Sequence, residues 1–268
     1  MIYHYCAAPV FKSIISTKQV WLTDITKLND TTEYKSGFEL IQEVLKTKGL
    51  EEHPLLRGID SSNINTSFRI LVGCFSREGD LGSQWSSYAD QTRGLSIGFD
   101  EHALDQYNLS NRFVENNYQP ISQHIKILEV NYDKDAFTNK VSSFIEDLDS
   151  RNMRLKYELM AVGLRRLAAL YKDPYFKDER EIRVMIELES HINDKYALDE
   201  RVNAYGENAT YHKLLTSFDD LSAISEVIIG PNCSYTQADV ESLLELHGLS
   251  SVSVKHSSGR NRYRQPNS

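Results

Sequence analysis

The sequence predicts an α+β fold, a mixed or antiparallel β-sheet with flanking helices, and three observations carry that reading. Short apolar runs and amphipathic helical stretches follow one another without the regular βαβ rhythm of a doubly wound parallel sheet. The segment from Glu179 to Glu189 alternates strictly, with Ile182, Val184, Ile186 and Leu188 on one side and Glu179, Glu181, Arg183, Met185 and Glu187 on the other. That is the period-two signature of a strand. No internal repeat, low-complexity block or linker interrupts the 268 residues, so residues 1–268 read as a single domain.

The elements follow in order. Ile2 to Ala7 is a first strand. Val10 to Lys18 is a helix with Phe11, Ile14 and Ile15 on one face, and Gln19 to Thr23 is a second strand. Asp30 is placed to cap the next helix, with Glu33 reaching back three residues. Tyr34, Phe38, Ile41 and Leu45 then recur at helical spacing until Gly49 stops them. Residues 50–66 are polar and irregular. Phe68 to Phe75 is apolar on both faces, which marks a central strand. Ser83 to Asp90 makes one or two helical turns, and Leu95 to Phe99 is a strand. Residues 101–124 are a polar loop or an excursion over a cleft. Ile125 to Tyr132 is a strand. Phe137 to Tyr171 is a long helical run, broken near Ser150 and ended by Pro174. The alternating strand comes next, then a polar segment to Thr216. Ala223 to Ile229 is a strand, Thr236 caps a helix running to His247 with Gly248 as its stop, and Ser251 to Lys255 is the last strand.

Composition excludes several classes. Thirty basic against 38 acidic residues give a net charge of −8, which disfavours a general nucleic-acid coat because phosphate affinity comes from Lys and Arg. The run Arg260, Arg262, Arg264 reads as a solvated tail. Cys6, Cys74 and Cys233 are far apart and odd in number, as expected for reduced thiols of a cytoplasmic protein. No leader pattern and no apolar run of about 18 residues is present, so no membrane partner is expected. The eight histidines and three cysteines miss metal-ligand spacing, and no metal is expected. Neither a Gly-rich phosphate loop nor a Gly-x-Ser-x-Gly turn occurs, which disfavours P-loop NTPases and α/β-hydrolases.

Four groups of residues offer chemistry. Glu179 and Glu181, two apart on a strand, would lie side by side on one face. Such a pair raises one pKa by repulsion or stabilises a developing cation. The alternative is a solvated strand face on which Arg183 offsets the acids. In Tyr3-His4-Tyr5, His4 would donate a hydrogen bond to a ligand hydroxyl beside an aromatic, or else be a satisfied core histidine. Asn29, beside the Asp30–Glu33 cap, would orient a loop at a cleft. Trp85 and Tyr88, three apart on a helical turn, would share a face and offer a stacking surface and a phenol near Arg93, or else anchor the core.

Together these stretches resemble a bacterial family, the domain of unknown function numbered 2971. The resemblance rests on Tyr3-His4-Tyr5, Leu28-Asn29-Asp30 with Glu33, Cys74-Phe75-Ser76 leading to Trp85-Ser86-Ser87-Tyr88, Arg93 to Asp100, and Lys177 to Arg183. More loosely, a His ending the first strand and a Glu-x-Glu on a late strand resemble the ADP-ribosyltransferase-like superfamily. The departures are the lack of a Ser-Thr-Ser middle motif and the place of Tyr88 on a predicted helix. That resemblance implies an ADP-ribosyltransferase-like fold and an NAD-using ADP-ribosyltransferase or NAD glycohydrolase, in the setting of a toxin or phage-defence effector. NAD would be a nucleotide substrate, and a macromolecule could accept the ADP-ribose. Glu181 would hold the nicotinamide-ribose 2′-hydroxyl and stabilise the oxocarbenium-like transition state, and Glu179 would orient the acceptor. His4, Tyr5, Asn29, Trp85, Tyr88, Arg93 and Arg183 would contact NAD, with His4 on a ribose hydroxyl and Tyr88 or Trp85 on nicotinamide. Two other readings stay open. One is a non-enzymatic sensing or interaction module using the acidic face and the 15 tyrosines. The other is a metal-dependent nuclease or phosphoesterase with Asp30, Glu33, Glu179 and Glu181 as oxygen ligands.

Overall fold

The structure, a computed structural model, describes residues 1–28, 31–54, 56, 68–105, 125–151, 154–189, 198–203, 206–218 and 221–260. Its strands are β1 (Ile2–Cys6), β2 (Gln19–Asp24), β3 (Phe68–Ser76), β4 (Leu95–Phe99), β5 (Lys126–Glu129), β6 (Glu181–Glu189), β7 (Leu198–Val202), β8 (Asn208–Leu215), β9 (Ser217–Phe218), β10 (Leu221–Ser222), β11 (Ile224–Ile229) and β12 (Ser253–His256). Its helices are α1 (Ala8–Thr17), α2 (Thr31–Thr47), α3 (Gly82–Tyr88), α4 (Lys134–Asp149), α5 (Lys156–Ala168) and α6 (Gln237–Leu246). The α+β class is as the sequence predicts. Among the described residues no helix is long and apolar enough to cross a membrane.

A mixed 10-stranded sheet runs through the molecule, antiparallel except where β11 pairs β12. Its organisation follows from β3. One edge of β3 pairs with β6 along its whole length, from Phe68↔Glu189 to Ser76↔Glu181. The other edge is divided between two strands: β1 meets it at Tyr3↔Ser76, and β2 meets it at Thr23↔Val72 and Asp24↔Leu71. The sheet therefore forks. One arm continues as β1-β4-β11-β12, the other as β2-β8-β7. Gly73, Cys74 and Phe75 lie in the fork, between the two points of pairing.

Helices cover both faces. On one, Phe11, Ile14 and Ile15 of α1 and Val240 and Leu244 of α6 pack with Ile182, Val184, Ile186 and Leu188 of β6. On the other, α2, α4 and α5 bring Phe38, Ile41, Phe137, Val141, Met160 and Leu164 against Ile70, Val72 and Met185. Strand β6 is thus buried on both sides, and Glu181, Arg183 and Glu187 are buried with it. The solvated-face alternative for this strand is corrected: the polar side of the alternation points into a helix-covered layer.

Three expectations about elements also change. The polar segment before Thr216 contains β7 and β8, held by ten residue pairings between them and β2 or each other, such as Trp21↔Lys213 and Arg201↔Ala209. Strand β6 begins at Glu181, because Glu179 ends a 3-10 helix over Pro174–Glu179 and Arg180 adopts a left-handed conformation with φ 47°. The long helical run divides near Ser150 as expected, but α5 stops at Ala168, and Pro174 opens the 3-10 turn instead of ending the helix. Of the polar loop expected over 101–124, residues 101–105 are helical; the rest of it, the Asp30–Glu33 capping pair, Arg262 and Arg264 lie outside the described residues.

Candidate functional site

The fork opens into a cleft of about 570 Å³, within the range of small-molecule pockets. Tyr3, His4 and Tyr5 of β1 form one wall, Trp21 and Thr23 of β2 with Arg201 of β7 form the other, and β3 supplies the floor. Tyr88 and the segment from Lys172 to Glu181 close one end. A separate groove of about 490 Å³ runs beside α2 between Lys35 and Glu51 and contains none of the sequence-predicted site residues.

The polar end is built by a short, firmly held turn. Asp173 Oδ1 accepts the backbone N–H of Tyr175 at 2.8 Å, and Pro174 starts the 3-10 turn. Ser76 Oγ then donates to the Glu179 carbonyl at 2.7 Å. On the far side of the left-handed Arg180, Tyr132 Oη accepts the Glu181 N–H at 2.9 Å. The kink separates the two acids in the backbone, yet Lys172 gathers their carboxylates. Lys172 Nζ donates to Glu179 Oε2 at 2.5 Å and to Glu181 Oε2 at 3.0 Å.

The two acids have different freedom. Glu181 is buried and also accepts from Arg183 Nε at 2.7 Å, while Arg183 Nη1 donates to the Ala169 carbonyl at 2.7 Å. Burial alone would push the Glu181 pKa up, but the charges of Arg183 and Lys172 outweigh it and hold the carboxyl at about 2. Glu181 is therefore ionised at every physiological pH. Glu179 reaches further into the cleft and accepts from Tyr88 Oη at 3.0 Å. Burial raises the Tyr88 pKa, with Lys172 opposing and Glu179 adding to the rise, so the phenol stays protonated and donates.

His4 lines the opposite wall. Its Nδ1 lies 3.2 Å from the Cys74 carbonyl. A carbonyl only accepts, so Nδ1 carries the proton. Burial lowers the His4 pKa, partly opposed by this hydrogen bond. The ring is then neutral, and Nε2 is an acceptor. This corrects the expected donor role: His4 would receive a hydrogen bond from a ligand hydroxyl.

Of the remaining predicted site residues, Tyr5 borders the cleft but is buried, its hydroxyl donating to the Glu78 carbonyl and accepting from Leu81 N–H. Trp85 is buried as well, edge-on to Tyr5 at 4.8 Å, with Nε1 donating to Asp80 at 2.7 Å. It anchors α3 and is not among the residues bordering the cleft. The shared face of Trp85 and Tyr88 is thus corrected: Trp85 is 1% exposed and Tyr88 39%. Arg93 is on the surface, paired with Asp90 at 2.7 Å. It follows the left-handed residues Asp90, Gln91 and Thr92, which turn the chain out of α3. Arg183 stands behind Glu181. Asn29 lies outside the described residues.

Sequence reasoning missed Lys172, Trp21 and Arg201. Trp21 had a signal: it sits between Val20 and Leu22, both buried, so its large ring must point the other way, and it is 39% exposed. Lys172 had none, since its partners Glu179 and Glu181 meet it only through the 3-10 turn.

Residues 84–184 match the family described as a protein of unknown function, DUF2971. The matched stretch is well under half of the chain, and it carries Tyr88, Lys172, Glu179, Glu181 and Arg183, the polar end of the cleft. No curated protein and no solved structure matches the chain, and the resemblance to the ADP-ribosyltransferase-like superfamily has no support from these comparisons.

Proposed function

We propose that the forked-sheet cleft binds a nucleotide and that the protein consumes NAD, acting as an ADP-ribosyltransferase or NAD glycohydrolase. The observation that carries this reading is the convergence of His4, Tyr88, Glu179 and Glu181, distant in sequence, on one cleft. Groups that act on one substrate must converge. Breaking the nicotinamide–ribose bond sends its electron pair out with nicotinamide and leaves positive charge on the sugar. A fixed carboxylate lowers that barrier. In this arrangement Glu179 faces the sugar and takes the proton of the attacking acceptor or water, while Glu181, with Lys172, holds Glu179 in place. His4 Nε2 accepts a ribose hydroxyl.

A second reading, a nucleotide-sensing module without catalysis, is favoured by one specific feature. Lys172 and Arg183 balance the charges of Glu179 and Glu181, which weakens the field available to stabilise a cation.

Nicotinamide release from NAD and NAD binding by calorimetry, measured together, separate these readings. The discriminating variant is Glu179→Gln. Glu181→Gln would also leave Arg183 buried without its carboxylate, a change of about 3–5 kcal/mol in stability, and so would test folding. Release that falls about 10²–10³-fold in Glu179→Gln supports the enzyme. Binding without release supports the sensor. The absence of both binding and release overturns the nucleotide reading.

A further inference from the structure

The far end of the cleft differs from the end described above. There Lys172 and Arg183 are both matched by carboxylates. At the other end, Arg201 of β7 is exposed and forms no ion pair with any described residue. Two nearby acids are already engaged, Asp199 of β7 with Lys213 at 2.6 Å and Glu207, just before β8, with Lys27 at 3.1 Å, and Glu200, next to Arg201 in the chain, takes the opposite face of β7 by strand alternation. Arg201 is nevertheless held in place. Its guanidinium carbon lies 5.2 Å from the centre of the Trp21 ring and 5.9 Å from that of Tyr211, and Nη2 donates to Thr23 Oγ1 at 3.2 Å. Trp21 in turn stacks on Tyr211 at 4.3 Å with an interplanar angle of 27°.

An oriented guanidinium with one donor committed and no anion to neutralise it is suited to a phosphate, which takes two parallel N–H bonds from the fork. A half-exposed indole beside it suits a planar ring, because aromatic faces stack on any base. We infer that Arg201 and Trp21 form a phosphate-and-base subsite, so that the ligand is a phosphorylated nucleotide lying with its phosphates at Arg201. This deepens the nucleotide reading and rests on it for the direction of the sugar, toward His4 and Glu179.

The test is calorimetric binding of ADP-ribose, adenosine, ribose 5-phosphate and inorganic pyrophosphate to the full chain, to Arg201→Gln, Arg201→Lys and Trp21→Ala. Melting curves accompany each variant. ADP-ribose is expected to bind the parent protein, more tightly than ribose 5-phosphate or pyrophosphate, and to lose about 10- to 100-fold in affinity in Arg201→Gln. Arg201→Lys should also weaken it, since an ammonium lacks the fork. Adenosine should bind Arg201→Gln as it binds the parent, and Trp21→Ala should weaken adenosine and ADP-ribose alike. Unchanged ADP-ribose affinity in folded Arg201→Gln, or no binding to the parent protein, overturns the phosphate assignment. Ribose 5-phosphate or pyrophosphate binding as tightly as ADP-ribose overturns the role of Trp21. Nicotinamide release is read separately: ADP-ribose binding through Arg201 without release would leave this subsite standing and remove the NAD-consuming reading, and release insensitive to Arg201 would do the reverse.

Discussion

Tyr88 and Glu179 make the contact in the polar cluster that removal of a single atom isolates. Tyr88→Phe deletes the hydroxyl that donates to Glu179 at 3.0 Å and leaves the Lys172 bond to the same carboxylate intact. Glu179 then loses one of its two fixed orientations. The expected outcome is little change in melting temperature and a fall of about tenfold in nicotinamide release, the scale of one hydrogen bond to a charged group. An unaltered rate in a folded variant would show that the phenol does not orient Glu179. His4 supports a prediction in pH. Burial lowers its pKa, so at pH 6.5, where an ordinary histidine is half charged, less than half of this ring is charged. A ligand that needs the neutral ring loses affinity as pH falls through the pKa of His4 in the free folded protein, and a lowered pKa moves that loss to lower pH. The midpoint of the acid decline in ADP-ribose affinity should therefore lie below pH 6.5, and His4→Gln should remove that decline. An inflection at or above pH 6.5 that vanishes in His4→Gln would contradict the neutral, accepting histidine.

At the scale of elements, the helix layer over β3 and β6 depends on a close approach of α2 to the end of α5. A Cβ built on Gly37 would sit 2.5 Å from the Ala168 carbonyl oxygen and 2.8 Å from its Cα. Both atoms are backbone, so no side chain can swing aside. Gly37→Ala gains helix propensity in α2 but must push the two helices apart, and overpacking of this kind costs about 1–3 kcal/mol. A lower melting temperature is expected, and a raised one would mean that the helices separate freely. The same scale decides what was legible in the sequence. Elements that bury their own pattern were readable: Phe68 to Phe75 with apolar residues on both faces, the alternation of β6, and the helix capped by Thr236, whose capping box with Asp239 is present. Strands β7 and β8 were not: Glu200, Arg201 and Val202 of β7 are exposed and that strand is held by pairing with β8, and β8, which buries only Ala209, Tyr211 and Leu214, is held in turn by β2. The start of β6 was misplaced because Arg180 takes a left-handed conformation that glycine or asparagine would have signalled. Half of the candidate site went unread for a related reason. The fork exists only because β1 and β2 share one edge of β3, a long-range register that no local pattern encodes.

For the whole molecule, β6 is the seam that joins the helix layer, the forked sheet and the cleft, and carboxylates buried along it tie these parts together. Glu181 is paired with Lys172 and Arg183. Glu187, six residues on and on the same face, is paired with Arg166 of α5 and with Lys126 of β5 at 2.8 Å. Burial pushes both carboxyl pKa values up, and in both the neighbouring cations prevail and lower them. The unfolded chain then binds these protons more readily than the folded one. The stabilisation is complete above the ordinary value near 4.5 and disappears as pH falls through the folded values, about 2 for Glu181. For Glu181 this amounts to about 3 kcal/mol, since one pKa unit corresponds to about 1.4 kcal/mol. Urea midpoints should accordingly be steady from pH 7 to 5 on account of these two groups and drop steeply between pH 4.5 and 2. Glu187→Gln should be less stable at pH 7 and show a shallower acid slope than the parent. Because Glu181 also holds Lys172 against Glu179, the ligand affinity of the cleft should fall along the same acid limb as the fold. Stability that stayed level between pH 4.5 and 2 would mean that these buried pairs do not carry the charge balance of the seam, and the rigid placement of Glu179 would then need another origin.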